Sequence, residues 1–108
     1  MRQDEKRHEA SLPDCLQALK QAPDNTDAIY CTARARNEPA QFAEALRVAK
    51  TGLDLKDYGG RIFAEAIYAN WRLGQVDTMA ATIARGLKLY PEDKSIILMR
   101  DWIAARGQ

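Results

Sequence analysis

The sequence has few of the side chains and patterns on which enzyme active sites are commonly built. Its one histidine, His8, lies in a charged N-terminal segment, so neither a histidine-based triad nor a site with several histidine ligands is available. The glycine pair Gly59-Gly60 has no phosphate-loop pattern around it. The carboxylates fall mostly at helix ends and in exposed positions, where solvation explains them. We therefore expect no enzyme, no cofactor and no metal site.

Cysteine is scarce as well. Cys15 and Cys31 are too few for a disulfide framework, and they lack the spacing of metal ligands. They fall on the apolar faces of two adjacent predicted helices. Because a free cysteine commonly packs as a small hydrophobic side chain, we interpret both as buried free thiols. A disulfide between them is the alternative.

The chain also lacks an excess of either charge and any long apolar run. Its formal net charge is +1, from 16 basic and 15 acidic residues, so nothing indicates nucleic acid or an anionic membrane as a partner. No run approaches the length of a transmembrane helix, and the charged residues 1–10 do not form a signal peptide. We expect a cytoplasmic protein without membrane insertion, in which residues 1–10 form a disordered arm.

The residues that are present favour a folded helical domain. Apolar residues make up 46% of the sequence, against only six glycines and four prolines. Apolar side chains recur at helical spacing between breaks at Pro23, Asn37, residues 56–60 and Pro91. The pattern predicts a helix that begins near Ser11, two helix pairs, and a last helix over residues 94–106. The first helix pair is expected to start after the capping cluster of Asn25, Thr26 and Asp27. Pro39 is expected in the first turn of the helix that follows it.

The pattern repeats at a fixed period. Residues 51–55, TGLDL, return as residues 85–89, RGLKL, and the same shift relates Ala35 to Ala69. We call this shift one period, and it equals the length of a known helix-pair repeat. Glycine is less favourable than alanine inside a helix. The recurrence of Gly52 as Gly86 therefore predicts a close approach between helices. The alternative is a chance exchange of glycine and alanine.

These features resemble the tetratricopeptide repeat family, whose units are helix pairs of this period. The residues that carry the resemblance are Leu73, Gly74, Met79, Ile83, Gly86, Leu87, Leu89 and Pro91. The resemblance covers residues 11–106 and implies an all-α, short right-handed solenoid of antiparallel helix pairs. Its parts would be a half repeat (11–25), two repeats (26–59 and 60–93) and a capping helix (94–106). Arg100 and Asp101 would give that helix the polar outer face required at the end of a solenoid.

The resemblance also implies a concave groove, lined by the first helix of each repeat. In this chain the groove would contain Tyr30, Arg34, Asn37, Glu65, Tyr68, Trp71, Arg72, Leu98 and Trp102. Aromatic and arginine side chains dominate many interfaces, so we expect a peptide or protein partner there, as for an adaptor or chaperone-like module. The alternative is that these aromatic rings only pack against neighbouring helices. A clamp for a terminal carboxylate is not expected, because Tyr30, Arg34 and Glu65 stand where the clamp has Lys, Asn and Arg.

A second interpretation is a self-association or assembly unit. The leading half repeat has no first helix, so the apolar stripe of Leu12, Leu16 and Leu19 would be partly exposed. A homodimer formed through this stripe would cover it. So would the rest of a longer protein, if the chain is a fragment of one from the same family.

Overall fold

A computed structural model describes residues 2–56 and 60–106 of the chain, with side chains from residue 12 onward. Within these residues the protein is all-α, as predicted, with six helices and no strand. The helices are α1 (Arg2–Gln21), α2 (Thr26–Asn37), α3 (Phe42–Lys50), α4 (Arg61–Arg72), α5 (Val76–Leu89) and α6 (Lys94–Ala104). None of these described helices has the combined length and apolar character needed to cross a bilayer. Residues 57–59, part of the predicted break, lie outside the described residues.

The first helix is longer than the sequence predicted. It begins at Arg2 and contains Pro13, whereas we expected a helix from Ser11 and a disordered arm over residues 1–10. The segment before Pro13 is rich in Arg, Gln, Glu, Lys and Ala, which are good helix formers and include no glycine. Such residues favour a helix even where no apolar stripe is present. The expectation of a disordered arm depended on the absence of that stripe.

Two helices begin at side-chain caps. The Asn25 side chain accepts hydrogen bonds from the backbone N–H groups of Asp27 (2.9 Å) and Ala28 (3.2 Å), which confirms the predicted start of α2. At α6, Asp93 accepts from the N–H of Ile96 through Oδ1 at 3.1 Å and from the N–H of Gly60 through Oδ2 at 2.8 Å. Asp93 therefore caps α6 and also holds the residue that precedes α4.

Helices α2 and α4 end in turns of the same geometry, one period apart. Ala40 and Gly74 have positive φ angles of 64° and 76°. In each turn the N–H of the next residue, a glutamine, donates to the carbonyl five residues earlier at 2.9 Å. This is the Schellman arrangement, which satisfies the last carbonyls of a helix.

Pro39 lies in the first of these turns and not where the sequence placed it. We expected it in the first turn of α3, but that helix begins at Phe42. Pro39 instead precedes Ala40 at the end of α2, at the position that Leu73 occupies after α4. A proline has no N–H and can stand at either end of a helix, so its presence alone does not distinguish the two places.

The six described helices pack in the order of the chain, and α2, α4 and α6 also lie side by side in a row. Each helix contacts the next along the chain, and α4 additionally lies between α2 and α6. Helix α4 is therefore enclosed by neighbours, and most of its residues are buried. The core cluster consists of Ile29, Ala33, Ala45, Leu46, Val48, Ala49, Leu53, Ile62, Phe63, Ala66, Ile67, Ala69, Ile96 and Ile103.

The predicted close approaches occur at both Gly52 and Gly86, but only Gly86 lies inside a helix, whereas Gly52 lies in the turn after α3. A Cβ atom on Gly52 would lie 2.9 Å and 3.1 Å from side chains of α2 and α4, and one on Gly86 would lie 2.9 Å and 3.0 Å from side chains of α6 and α4. The side chains met are Ile29 and Ile62 in the first case, and Ile96 and Phe63 in the second. The contacts themselves thus recur one period later.

The two cysteines form a disulfide, so their interpretation as free thiols is wrong. Cys15 of α1 and Cys31 of α2 are joined, with their Cα atoms 5.9 Å apart, within the usual range for a disulfide. The apolar faces that were predicted for adjacent helices do meet, and the cysteines occupy facing positions on them. The bond ties α1 covalently to α2.

Candidate binding groove

Two adjoining hollows lie on the side of the molecule formed by α2, α4 and α6. The larger has a volume of about 480 Å³ and is lined by Tyr30, Arg61, Ala64, Glu65, Tyr68, Ser95, Leu98, Met99 and Trp102. The smaller, of about 260 Å³, is lined by Arg34, Asn37, Glu38, Glu65, Tyr68 and Met99. Because Glu65, Tyr68 and Met99 belong to both, the hollows form one depression, which we call the groove.

Most of the side chains predicted for this face line the groove. They are Tyr30, Arg34, Asn37, Glu65, Tyr68, Leu98 and Trp102. Trp71 and Arg72 line neither hollow and instead pack around the rings beside them. The sequence reasoning missed Arg61 and Met99. Helical spacing from Glu65 and Trp102 points to both positions, so the signal was present.

Four aromatic rings from three helices form a continuous cluster at one end of the groove. Tyr68 lies 5.9 Å from Phe42, 5.9 Å from Trp71 and 6.0 Å from Trp102, measured between ring centroids. Trp71 and Trp102 are 5.3 Å apart and perpendicular. We call Phe42, Tyr68, Trp71 and Trp102 the aromatic cluster. The alternative of mutual packing therefore describes Trp71 well, whereas Trp102 remains 40% exposed.

Arginine side chains cover several of these rings. The Arg72 guanidinium lies 4.6 Å from the Phe42 centroid, and its Nη1 donates to the Tyr68 hydroxyl oxygen at 2.9 Å. The Arg106 guanidinium lies 3.5 Å from the Trp102 centroid. Cation–π contacts of this kind hold the guanidinium groups flat against the cluster. Two positive charges, those of Arg72 and Arg106, therefore lie beside this end of the groove.

The Arg61 guanidinium also lies over an aromatic ring, at the other end of the groove. It lies 4.7 Å from the Tyr30 centroid and pairs with the Asp27 carboxylate, so it ties the beginning of α4 to the beginning of α2. Asp27 and Arg61 are themselves one period apart in the sequence. The pair fixes the Tyr30 wall of the larger hollow.

Glu65 is a half-buried acid at the boundary between the two hollows. The Asn37 amide donates to Glu65 Oε1 at 2.9 Å and to the Glu65 backbone carbonyl at 3.2 Å. Burial raises the pKa of the Glu65 carboxyl, and the nearby charge of Glu38 adds to the rise. The Asn37 hydrogen bond and the positive charge of Arg34 offset it in part. Glu65 forms no ion pair with any described side chain.

The groove offers ring edges, apolar walls and one partly desolvated carboxylate, which are features of a binding site. Among the described side chains, no group of three or more His, Cys, Asp or Glu is placed to hold a metal ion.

No family model, curated protein or solved structure matches the chain. These comparisons therefore give no support to the tetratricopeptide resemblance.

Proposed function

We propose that this protein is a non-enzymatic interaction module that binds a peptide or protein segment in the groove. The observation that carries the proposal is the meeting of Tyr30, Tyr68 and Trp102, from three different helices, around one depression of about 480 Å³. Exposed aromatic side chains at the wall of a hollow are common anchors of binding energy. Leu98, which is 65% exposed at the same wall, adds apolar surface that a partner would cover.

We further propose that the helices form a short right-handed solenoid of the tetratricopeptide type. Three repeated features support this: the turns at Ala40 and Gly74, the glycine contacts at Gly52 and Gly86, and the row formed by α2, α4 and α6. In such an array the row lines the concave side, and the groove lies on that row. The paired and exposed Arg100 and Asp101 then form the polar end of the array.

A displayed library of random dodecapeptides, panned against the full chain, tests the binding proposal. Selected peptides are synthesised and titrated by fluorescence polarisation against the wild type and a Tyr68→Ala, Trp71→Ala double variant. Loss of the Tyr68 ring from the groove wall, and of the Trp71 ring that packs against it, should weaken binding by roughly 30-fold. Unchanged affinity would exclude these residues from the site.

Two further variants separate binding from folding. Leu98→Glu alters an exposed groove residue without disturbing the core and should also weaken binding. As a control, Val76→Ala with Leu89→Ala removes exposed apolar surface from α5, outside both hollows, and should leave the affinity unchanged. Circular dichroism checks that each variant is folded.

The second candidate function is self-association through α1. Leu16 is 39% exposed and, with Leu19 and Val48, lines an apolar hollow of about 230 Å³. Leu12 and Leu19 are half-buried, so the stripe is partly exposed. Light scattering of the chain tests this candidate: a homodimer should dissociate when Leu16→Glu is introduced, whereas a monomeric wild type contradicts it.

A further inference from the structure

The larger hollow combines apolar walls with an acid that has no counter-ion among the described side chains. Leu98, Met99 and Trp102 supply apolar surface from α6, and Glu65 contributes the carboxylate from α4. One oxygen of that carboxylate, Oε1, accepts the Asn37 hydrogen bond. Within the described part of the chain, no basic side chain forms an ion pair with it.

The two arginines that line the hollows with Glu65 form ion pairs with other carboxylates. Arg34 Nε lies 3.9 Å from Glu38 Oε2, and Arg61 pairs with Asp27. Burial is the largest influence on the pKa of Glu65 and raises it, the Asn37 hydrogen bond and the positive charge of Arg34 lower the pKa in part, and the smaller effect of Glu38 raises it. A positive charge brought to a partly desolvated carboxylate stabilises its ionised form. The electrostatics of this part of the groove therefore favour a cationic group from the partner.

The apolar walls of the hollow and the Asn37 hydrogen bond to the Glu65 carboxylate indicate which cationic side chain fits best. A lysine side chain buries its methylene stem along apolar walls while its ammonium group reaches a polar partner. An arginine prefers both oxygens of a carboxylate, in a fork geometry, but Oε1 of Glu65 already accepts the Asn37 hydrogen bond and keeps only one of its two acceptor sites for a partner. An ammonium group acts as a point charge and can bind at the remaining oxygen.

We propose that the groove selects a lysine side chain of the bound segment, whose ammonium group pairs with Glu65. This inference rests on the proposed function, because it specifies which side chain the groove recognises. Glu65 determines which side chain of the segment is preferred, while the aromatic cluster supplies the surface against which the rest of the segment packs.

The same panned dodecapeptides provide the test. One selected peptide is prepared with its lysine intact, with norleucine in its place and with arginine in its place. Norleucine keeps the methylene stem without the charge. Each peptide is titrated against the wild type, Glu65→Gln and a matched control, Glu44→Gln. Glutamine at position 65 can still accept the Asn37 hydrogen bond, and Glu44 is an exposed residue of α3 that lines neither hollow.

Lysine should be enriched among the selected peptides. Its replacement by norleucine should weaken binding to the wild type and to Glu44→Gln by about 10-fold to 100-fold, the range expected for loss of a hydrogen bond between charged groups. The same replacement should change the affinity for Glu65→Gln by less than about 3-fold. The arginine peptide should bind the wild type more weakly than the lysine peptide.

Other outcomes overturn the inference in distinguishable ways. If the peptides depend on Tyr68 and Trp71 but not on their lysine, or if Glu65→Gln binds the lysine peptide as tightly as the wild type, the lysine inference is wrong and the proposed function stands. If no peptide is selected, or if the affinity is the same for the wild type and every groove variant, the lysine inference and the proposed function are both wrong.

Discussion

The equivalent turns after α2 and α4 allow a paired test of backbone strain. Ala40 and Gly74 both have left-handed backbone angles, with φ of 64° and 76°, but only the second residue is glycine. Exchange of the two residue types, through Ala40→Gly and Gly74→Ala, should change stability in opposite directions. Neither change alters a charge or removes a backbone hydrogen-bond donor.

The magnitude follows from the surroundings of each residue. A Cβ on Gly74 would meet no atom within 4 Å, so the backbone strain of an alanine there, about 1 kcal/mol, accounts for the whole loss. Ala40 is exposed, so removal of its methyl group takes little buried apolar surface from the folded state. Ala40→Gly should therefore raise the free energy of unfolding by about 0.5 to 1 kcal/mol. With both substitutions the stability should be close to that of the wild type.

Urea unfolding followed by far-ultraviolet circular dichroism, with the disulfide kept oxidised, measures both effects. The dependence of the unfolding free energy on urea should stay constant, since neither change alters the surface exposed on unfolding. A neutral Gly74→Ala, or a destabilising Ala40→Gly, would refute the reasoning. Either result would mean that the two turns are not strained in the same way.

Three further predictions concern the disulfide, a glycine contact and the groove acid. Reduction of the Cys15–Cys31 bond should lower the free energy of unfolding by about 3 kcal/mol, because the two cysteines are 16 residues apart in sequence and the bond closes a loop of that length. Urea titration with and without reductant measures this loss. Gly86→Ala should cost about 1–3 kcal/mol, because the new methyl group would lie 2.9 Å from Cδ1 of Ile96. Ile96→Val removes that atom and should recover part of the loss in a double-mutant cycle. The raised pKa of Glu65 means that the folded state holds its proton more tightly, so stability should fall as the pH rises from the unfolded Glu value through the folded one. Glu65→Gln should remove this fall and stabilise the protein at neutral pH, in thermal melts recorded across the pH range.

The sequence was most informative where a residue type has one structural meaning. The Asn25 cap, the helix breaks and the glycine contacts could be predicted because caps and close approaches admit few residue types. Pro39 and the N-terminal segment could not, because proline is compatible with both ends of a helix, and helix formers without an apolar face carry no packing signal. The disulfide depends on the relative placement of Cys15 and Cys31 across two helices, which periodicity alone does not determine.

The groove was predictable as a face but not as a set of contacts. The resemblance to the tetratricopeptide repeat family implied that Tyr30, Tyr68 and Trp102 lie on one side of the molecule, and they do line one depression. The hydrogen bond from Asn37 to Glu65 joins two helices and depends on the direction of both side chains. The residue pattern contains no measure of that direction, so the partial desolvation of Glu65 became visible only in the structure.

The aromatic cluster also determines what an optical measurement of this protein reports. The chain has two tryptophans, Trp71 and Trp102, and both belong to that cluster, with their rings 5.3 Å apart. Indole emission therefore originates at the groove and nowhere else in the chain. A bound segment that excludes water from Trp102 should move the emission to shorter wavelength. The protein thus contains an intrinsic fluorescent probe, with which occupancy can be followed on an unlabelled chain.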